Sequence, residues 1–176
     1  MTLFGPIDQI GYVVTDLDAA VAGRVAGLGL GPWTIFRGTA LEGRYRGLPT
    51  TVTIDVALAY QGGIQIELIQ QRSAAPSPYA DAGGPKLGAH HVAWLTDDLD
   101  TAITAAEARG LVLIFSAGNS AARVAYLSTP GEPDILYELI EGPGMRAMFD
   151  AGIAAAADWD GTDPMVEIDM AAAGAA

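Results

Sequence analysis

The spacing of apolar and polar positions repeats itself once along this chain. Gln9 to Val21, QIGYVVTDLDAAV, aligns without gaps on His91 to Ile103, HVAWLTDDLDTAI, at a constant offset of 82 residues. In both copies a short apolar strand runs through Asp-Leu-Asp into an Ala-rich segment. Asp16 or Asp18, and Asp98 or Asp100, are natural N-caps, so each copy reads as strand then helix. The first helix should end near Gly27 to Gly31 and the second at Gly110, where glycine accepts a left-handed C-cap. A second correspondence follows, IQIELI at Ile64 to Ile69 against ILYELI at Ile135 to Ile140, now at an offset of 71, which makes the second copy 11 residues shorter. Before the first of these, RGTALEGRYRGLPT supplies Gly, Pro and charged residues, and the alternating TVTIDVALAY, the Gly62-Gly63 turn and IQIELIQ read as strand, turn, strand. The second copy offers LVLIFS, RVAYLST and ILYELIE, separated by turn signals at Gly118-Asn119 and Pro130-Gly131. Each module is therefore one strand, one helix and about three further strands.

Four segments result: a first module over 1–70, a linker over 71–87, a second module over 88–141, and a helix with a tail over 142–176. The linker, QRSAAPSPYADAGGPK, is rich in Pro, Ala and Gly and reads as exposed. After Gly142-Pro143-Gly144, the residues Met145, Met148, Phe149 and Ile153 fall at helical spacing. Such a helix packs on the sheet or on a partner subunit; its other reading is a cover over a cavity mouth. The terminal AAAGAA is low in complexity and reads as frayed.

Composition narrows the chemistry. With 51% hydrophobic and 17% charged residues the 176-residue chain is expected to fold. It carries no apolar run near the roughly 20 residues of a membrane span, and Met1 to Pro6 does not read as a signal peptide, so it reads as soluble and cytoplasmic. The absence of cysteine excludes disulfides, thiolate ligands and a cysteine nucleophile. Any metal must then be held by oxygen and imidazole nitrogen. A formal charge of −12, from 21 acidic against 9 basic residues, argues against nucleic acid and mildly against strongly anionic ligands.

The residues that stand out occupy matching places in the repeat. Gln9 and His91 lie in the opening strands, and Glu67 and Glu138 lie in the middle of otherwise apolar closing strands. A lone glutamate there commonly points to water from an edge strand. Two of them, placed by the repeat that also places a histidine and a glutamine, need one explanation, because a buried carboxylate is costly without a compensating charge. A shared cation supplies it. Two carboxylates, one imidazole and one amide oxygen suit Zn²⁺ first, and also Ni²⁺, Co²⁺, Mn²⁺ or Fe²⁺.

These motifs resemble the vicinal-oxygen-chelate superfamily, which includes glyoxalase I, methylmalonyl-CoA epimerase, extradiol dioxygenases and bleomycin-resistance proteins. The resemblance covers roughly Ile7 to Glu141, carried by IDQIGYVVTDLDAAV, GAHHVAWLTDDLDTAI, IQIELIQ, ILYELIE and RVAYLSTPG. It implies an α+β fold of two tandem βαβββ modules, with a curved mixed sheet around a metal-binding cleft. The family's ligand positions fall on Gln9, Glu67, His91 and Glu138; many members have histidine where this chain has Gln9, but glyoxalase I of the eukaryotic type is similar to it in having Gln, Glu, His and Glu. His90, by strand alternation, should point to the other sheet face as a structural or supporting residue. The implied activity is that of a metal-dependent isomerase, epimerase or lyase acting α to the carbonyl of a small substrate, with Glu138 as general base and Glu67 in the reciprocal role. The rival implications are a non-catalytic drug-binding protein and, less well matched because His90 and His91 are neighbours, an extradiol-type dioxygenase. A homodimer is implied by the resemblance alone. On the substrate side, Trp33, Tyr45 and Tyr60, with Trp94 and Tyr137, are candidates for an apolar pocket, and Arg46, beside Arg44, and Arg123 for contact with a substrate anion.

Overall fold

The computed structural model describes residues 3–170, with backbone only at 132–134. The first module runs β1 (Gln9–Val13), α1 (Leu17–Leu28), β2 (Trp33–Tyr45), β3 (Leu48–Gln61) and β4 (Ile64–Gln71). A small hairpin of β5 (Ala80–Asp81) and β6 (Gly84–Pro85) follows. The second module repeats the order with β7 (Gly88–Leu95), α2 (Leu99–Glu107), β8 (Val112–Gly118), β9 (Arg123–Thr129) and β10 (Glu132–Glu141). Then come α3 (Met145–Asp158) and β11 (Met165–Asp169). Asp16 and Asp98 are the N-caps, accepting from the backbone N–H of Ala19 at 3.0 Å and of Thr101 at 2.9 Å. Gly29 closes α1 in the left-handed conformation, whereas α2 already stops at Glu107, ahead of Gly110.

Among the described residues nine strands form one mixed sheet in the order β11-β2-β3-β4-β1-β7-β10-β9-β8, and a further β2–β8 pairing closes it on itself. The modules meet where β1 and β7 run antiparallel, and β4 and β10 flank that pair in parallel. The sheet thus closes within one chain.

Strand alternation divides each strand between two environments. Val13, Val52, Ile54, Ile69, Ala93, Leu136 and Ile140 face inward and form the central core. The opposite positions are covered by the helices: α1 lies on Ala57, Ala59 and Leu68 through Leu17 and Val21, and α2 lies on Ala125, Leu127 and Leu139 through Leu99 and Ala106. Inward positions that are not apolar must therefore sit inside the closed sheet.

Three expectations are corrected. The Gly- and Arg-containing stretch before TVTIDVALAY is mostly strand β2, because its partners β3 and β8 satisfy a backbone whose composition alone does not favour a strand. The linker is not exposed throughout: Ser77 and Tyr79 are buried, Tyr79 among Phe115 and Tyr126. Part of the tail, expected to carry no ordered element beyond its helix, forms β11, pairing in parallel with Trp33 to Arg37 of β2. The frayed AAAGAA end lies outside the described residues. Among the described residues no helix is long and apolar enough to cross a membrane.

The closing seam depends on Gly43, paired with Ala117, where an added Cβ would lie 2.0 Å from the Ser116 carbonyl oxygen. Gly43→Val should destabilise the protein by at least the roughly 1–3 kcal/mol typical of overpacking, read as a lower urea midpoint.

Candidate metal centre

The inward positions of the four central strands bring Gln9, Glu67, His91 and Glu138 to one point. Gln9 and Glu67 come from β1 and β4 of the first module, His91 and Glu138 from β7 and β10 of the second. His91 Nε2 lies 2.9 Å from a Glu138 oxygen, 3.2 Å from a Glu67 oxygen and 3.0 Å from Gln9 Oε1. One ligand atom from each of Glu67, His91 and Glu138 falls within 4.8 Å of the others. Room for the imidazole comes from Gly11, opposite His91 in the β1–β7 ladder, where a Cβ would stand 1.9 Å from the ring.

The site is largely buried, and its two carboxylates face a single imidazole. Gln9, His91 and Glu138 are buried and Glu67 is nearly so. Glu67 Oε2 and Glu138 Oε2 are both buried without a hydrogen-bond partner, although each stands close to His91 Nε2. The proximity does not give a well-directed hydrogen bond to either oxygen. Burial raises the Glu67 carboxyl above its ordinary range, against the opposing pull of His91. Burial lowers His91, but the Glu138 and Glu67 carboxylates outweigh it and lift the imidazole to about 10. Two facing carboxylates thus demand positive charge between them. Orphaned carboxylate oxygens, an imidazole nitrogen and an amide oxygen converging on one spot fit a divalent cation of borderline hardness.

Supporting hydrogen bonds orient the donors. The Gln9 amide NH₂ donates to Gln65 Oε1 at 2.6 Å, and Gln65 Nε2 donates to the Tyr60 hydroxyl at 2.6 Å, which turns Gln9 Oε1 toward the site. His90 Nε2 lies 3.0 Å from the Pro78 carbonyl, which can only accept, so His90 Nδ1 is the bare nitrogen. That nitrogen accepts from His91 Nδ1–H at 3.0 Å and leaves His91 Nε2 facing the carboxylates. Burial depresses His90 to about 3, in keeping with a neutral acceptor. His90 does not point to the opposite sheet face as alternation requires. The β1–β7 register jumps from Gly11↔His91 to Tyr12↔Ala89, so His90 is the extra residue of a bulge and stays beside His91.

Beside the four donors lies a cavity of about 220 Å³, walled mostly by apolar side chains of both modules. Helix α3 covers it with Met145, Met148 and Phe149, so this helix both packs on the sheet and borders the cavity. The substrate-side candidates are not gathered there. Trp33 is buried under α1, its indole N–H donating to the Leu30 carbonyl. Tyr45 and Arg46 stack at the β2–β3 turn, and Arg123 is paired with Asp100 and Glu141 at 2.8 Å each. Trp94 and Tyr137 lie on the outer face toward α2. Tyr60 stands behind the site, supporting Gln65 and packing on Phe149. Sequence reasoning missed Gln65, Tyr79 and Tyr126. Gln65 was the most legible, being two residues before Glu67 and hence on the same strand face.

His90→Phe keeps a ring but removes the acceptor for His91 Nδ1–H, and the affinity for a titrated divalent cation should fall by about 10–100-fold in a competition titration. Gly11→Ala, which drives a methyl group into the imidazole, should weaken divalent-cation binding further.

The model of the glyoxalase/bleomycin resistance protein/dioxygenase superfamily matches residues 8–126. Among solved structures, the methylmalonyl-CoA epimerase from Mycobacterium tuberculosis is similar with a TM-score of 0.54 at 20% identity, covering 84% of this chain and 95% of that one. A hypothetical protein from Bacillus halodurans C-125 is similar with a TM-score of 0.50 at 22% identity, covering 78% and 94%. Among curated proteins there is no sequence match. With a family model spanning most of both modules and the module order seen in the fold, the chain belongs to the glyoxalase/bleomycin resistance protein/dioxygenase superfamily, the vicinal-oxygen-chelate proteins.

Proposed function

We propose that this protein is a metal-dependent isomerase, epimerase or lyase that removes a proton α to the carbonyl of a small substrate. The observation that carries the reading is the pair of buried carboxylates, one from each module, whose Oε2 atoms lack hydrogen-bond partners beside a largely apolar cavity. Gln9, Glu67, His91 and Glu138 would hold the cation, with zinc the first choice from the donor set. The chemistry such an ion supplies is Lewis-acid polarisation of a carbonyl oxygen, which acidifies the neighbouring C–H.

The protein's own groups then divide the work. Glu138 takes the α-proton while the C–H electron pair stays on the substrate, and Glu67 returns a proton from the other module. Gln9, held by Gln65 and Tyr60, would offer the cation its amide oxygen. His91, held by His90, would offer its Nε2. The apolar walls exclude bulk water, which strengthens each of these interactions.

Purified without added metal or chelator, the protein should carry about one divalent ion per chain, and the Glu67→Ala/Glu138→Ala variant should carry none. Metal analysis of both decides the point. In deuterated water, Glu138→Gln should slow α-proton exchange into any accepted carbonyl compound by about 10²-fold or more, and an unchanged exchange rate would overturn the assignment of the base. A metal-loaded native protein that binds such compounds but exchanges no proton would instead support the non-catalytic binding reading, which the apolar walls also accommodate.

A further inference from the structure

We infer that the cavity takes an uncharged, mostly apolar carbonyl compound, and that Thr39 Oγ1 is a substrate-contacting group placed in it by a bulge in β2. This rests on the proposed reading of the site as one where a carbonyl substrate lies against the four donors. The cavity, at about 220 Å³, is below the roughly 300–1,000 Å³ of clefts that hold drug-sized ligands. Its walls include Phe36, Leu41, Ile54, Leu58, Met148 and Phe149.

None of the nine Lys and Arg residues lines the cavity. Four stand on elements that form it, and all four are already engaged: Arg37 with Asp18, Asp55 and Glu167, Arg44 with the Gly47 carbonyl, Arg123 with Asp100 and Glu141, and Arg146 with Asp8. A substrate carboxylate or phosphate entering beside Glu67 and Glu138 would approach two buried carboxylates and meet no Lys or Arg, while His91 already lies against both carboxylates. Substrates carrying a large anionic carrier, such as a coenzyme A thioester, are therefore poor fits. A neutral ketone or diketone with an apolar body fits both volume and charge.

Besides the two carboxylate oxygens, one further polar atom on the cavity wall has no hydrogen-bond partner among the described residues. Thr39 Oγ1 is buried and makes no hydrogen bond, a costly state that a ligand oxygen or N–H would relieve. Its direction is set by the backbone. In β2 the register with β3 shifts between Phe36↔Val56 and Thr39↔Ile54, so Arg37 and Gly38 together oppose Asp55. Gly38 takes the left-handed φ of 64°, and its N–H donates to Asp55 Oδ1 at 2.9 Å, which pins the bulge. Before the bulge Trp33 and Ile35 face α1; after it Thr39 and Leu41 face the cavity. Unbroken alternation would have turned Thr39 outward with Trp33.

The test is calorimetric binding of two probes of the same shape, methyl phenyl diketone and phenylglyoxylate, which differ by a methyl group against a carboxylate oxygen. Chelator is present throughout, so the outcome does not depend on a bound metal. The diketone should bind at least about tenfold more tightly than the acid. Thr39→Val should weaken diketone binding by roughly three- to tenfold with an unchanged melting temperature, and Thr39→Ser should retain it. Equal binding of the two probes, tighter binding of methylmalonyl-CoA, or a Thr39→Val chain that binds the diketone unchanged would overturn the inference. If the diketone binds as expected while the metal-loaded protein exchanges no α-proton in any carbonyl compound, the proposed reaction fails and the cavity assignment stands.

Discussion

The structure depends on bringing two carboxylates, Glu67 and Glu138, out of water and setting them on either side of one imidazole. Each has hydrophobic inward neighbours along its strand, Ile69 beside Glu67 and Leu136 and Ile140 beside Glu138. An arrangement of this kind is favourable only if positive charge lies between the carboxylates. Much else that surrounds the site serves that point: a glycine at 11 that clears space for the ring, a glutamine chain that aims an amide oxygen, and a histidine pair that leaves one nitrogen bare.

Two irregularities in the sheet do as much for the site as its regular strands. The bulge at His90 keeps two successive histidines on one side of β7, so that the first orients the second. The bulge at Arg37 and Gly38 reverses the facing of β2 and carries Thr39 and Leu41 into the interior beside Phe36. In each case one strand holds residues with no counterpart in its partner, and the side-chain parity that follows is the reverse of what counting by twos predicts. Asp55 matters to the second bulge because its carboxylate accepts from Gly38 and pairs with Arg37, tying an internal kink to the charged surface.

Closure of the sheet and the covering helix set the scale of the interior. The β2–β8 seam joins the two modules opposite their β1–β7 contact, and α3 lays Met145, Met148 and Phe149 across the remaining space. Tyr60 links this cover to the donors, since it packs on Phe149 and accepts from Gln65, and an added Cβ at Gly152 would stand 2.0 Å from its ring. Tyr60 and Gln65 thus connect α3 to Gln9 through two hydrogen bonds.

Much of this was legible in the amino-acid sequence, because the repeat is written in local terms. Alternating apolar residues, Asp caps and glycine stops specify strand and helix within a few residues of themselves, and the offset between copies places Gln9 with His91 and Glu67 with Glu138. The pairing of equivalent positions across a pseudo-symmetric sheet then brings all four to the centre. What the sequence left open depends on contacts distant in the chain. Strand β2 exists because β3, β8 and β11 supply its hydrogen bonds, and Tyr79 is buried because the second module closes over it. The facing of Thr39 and His90 followed from register shifts that arise only when two strands pair. A residue's own pattern determines whether it lies in a strand, but only its partner determines which side it faces.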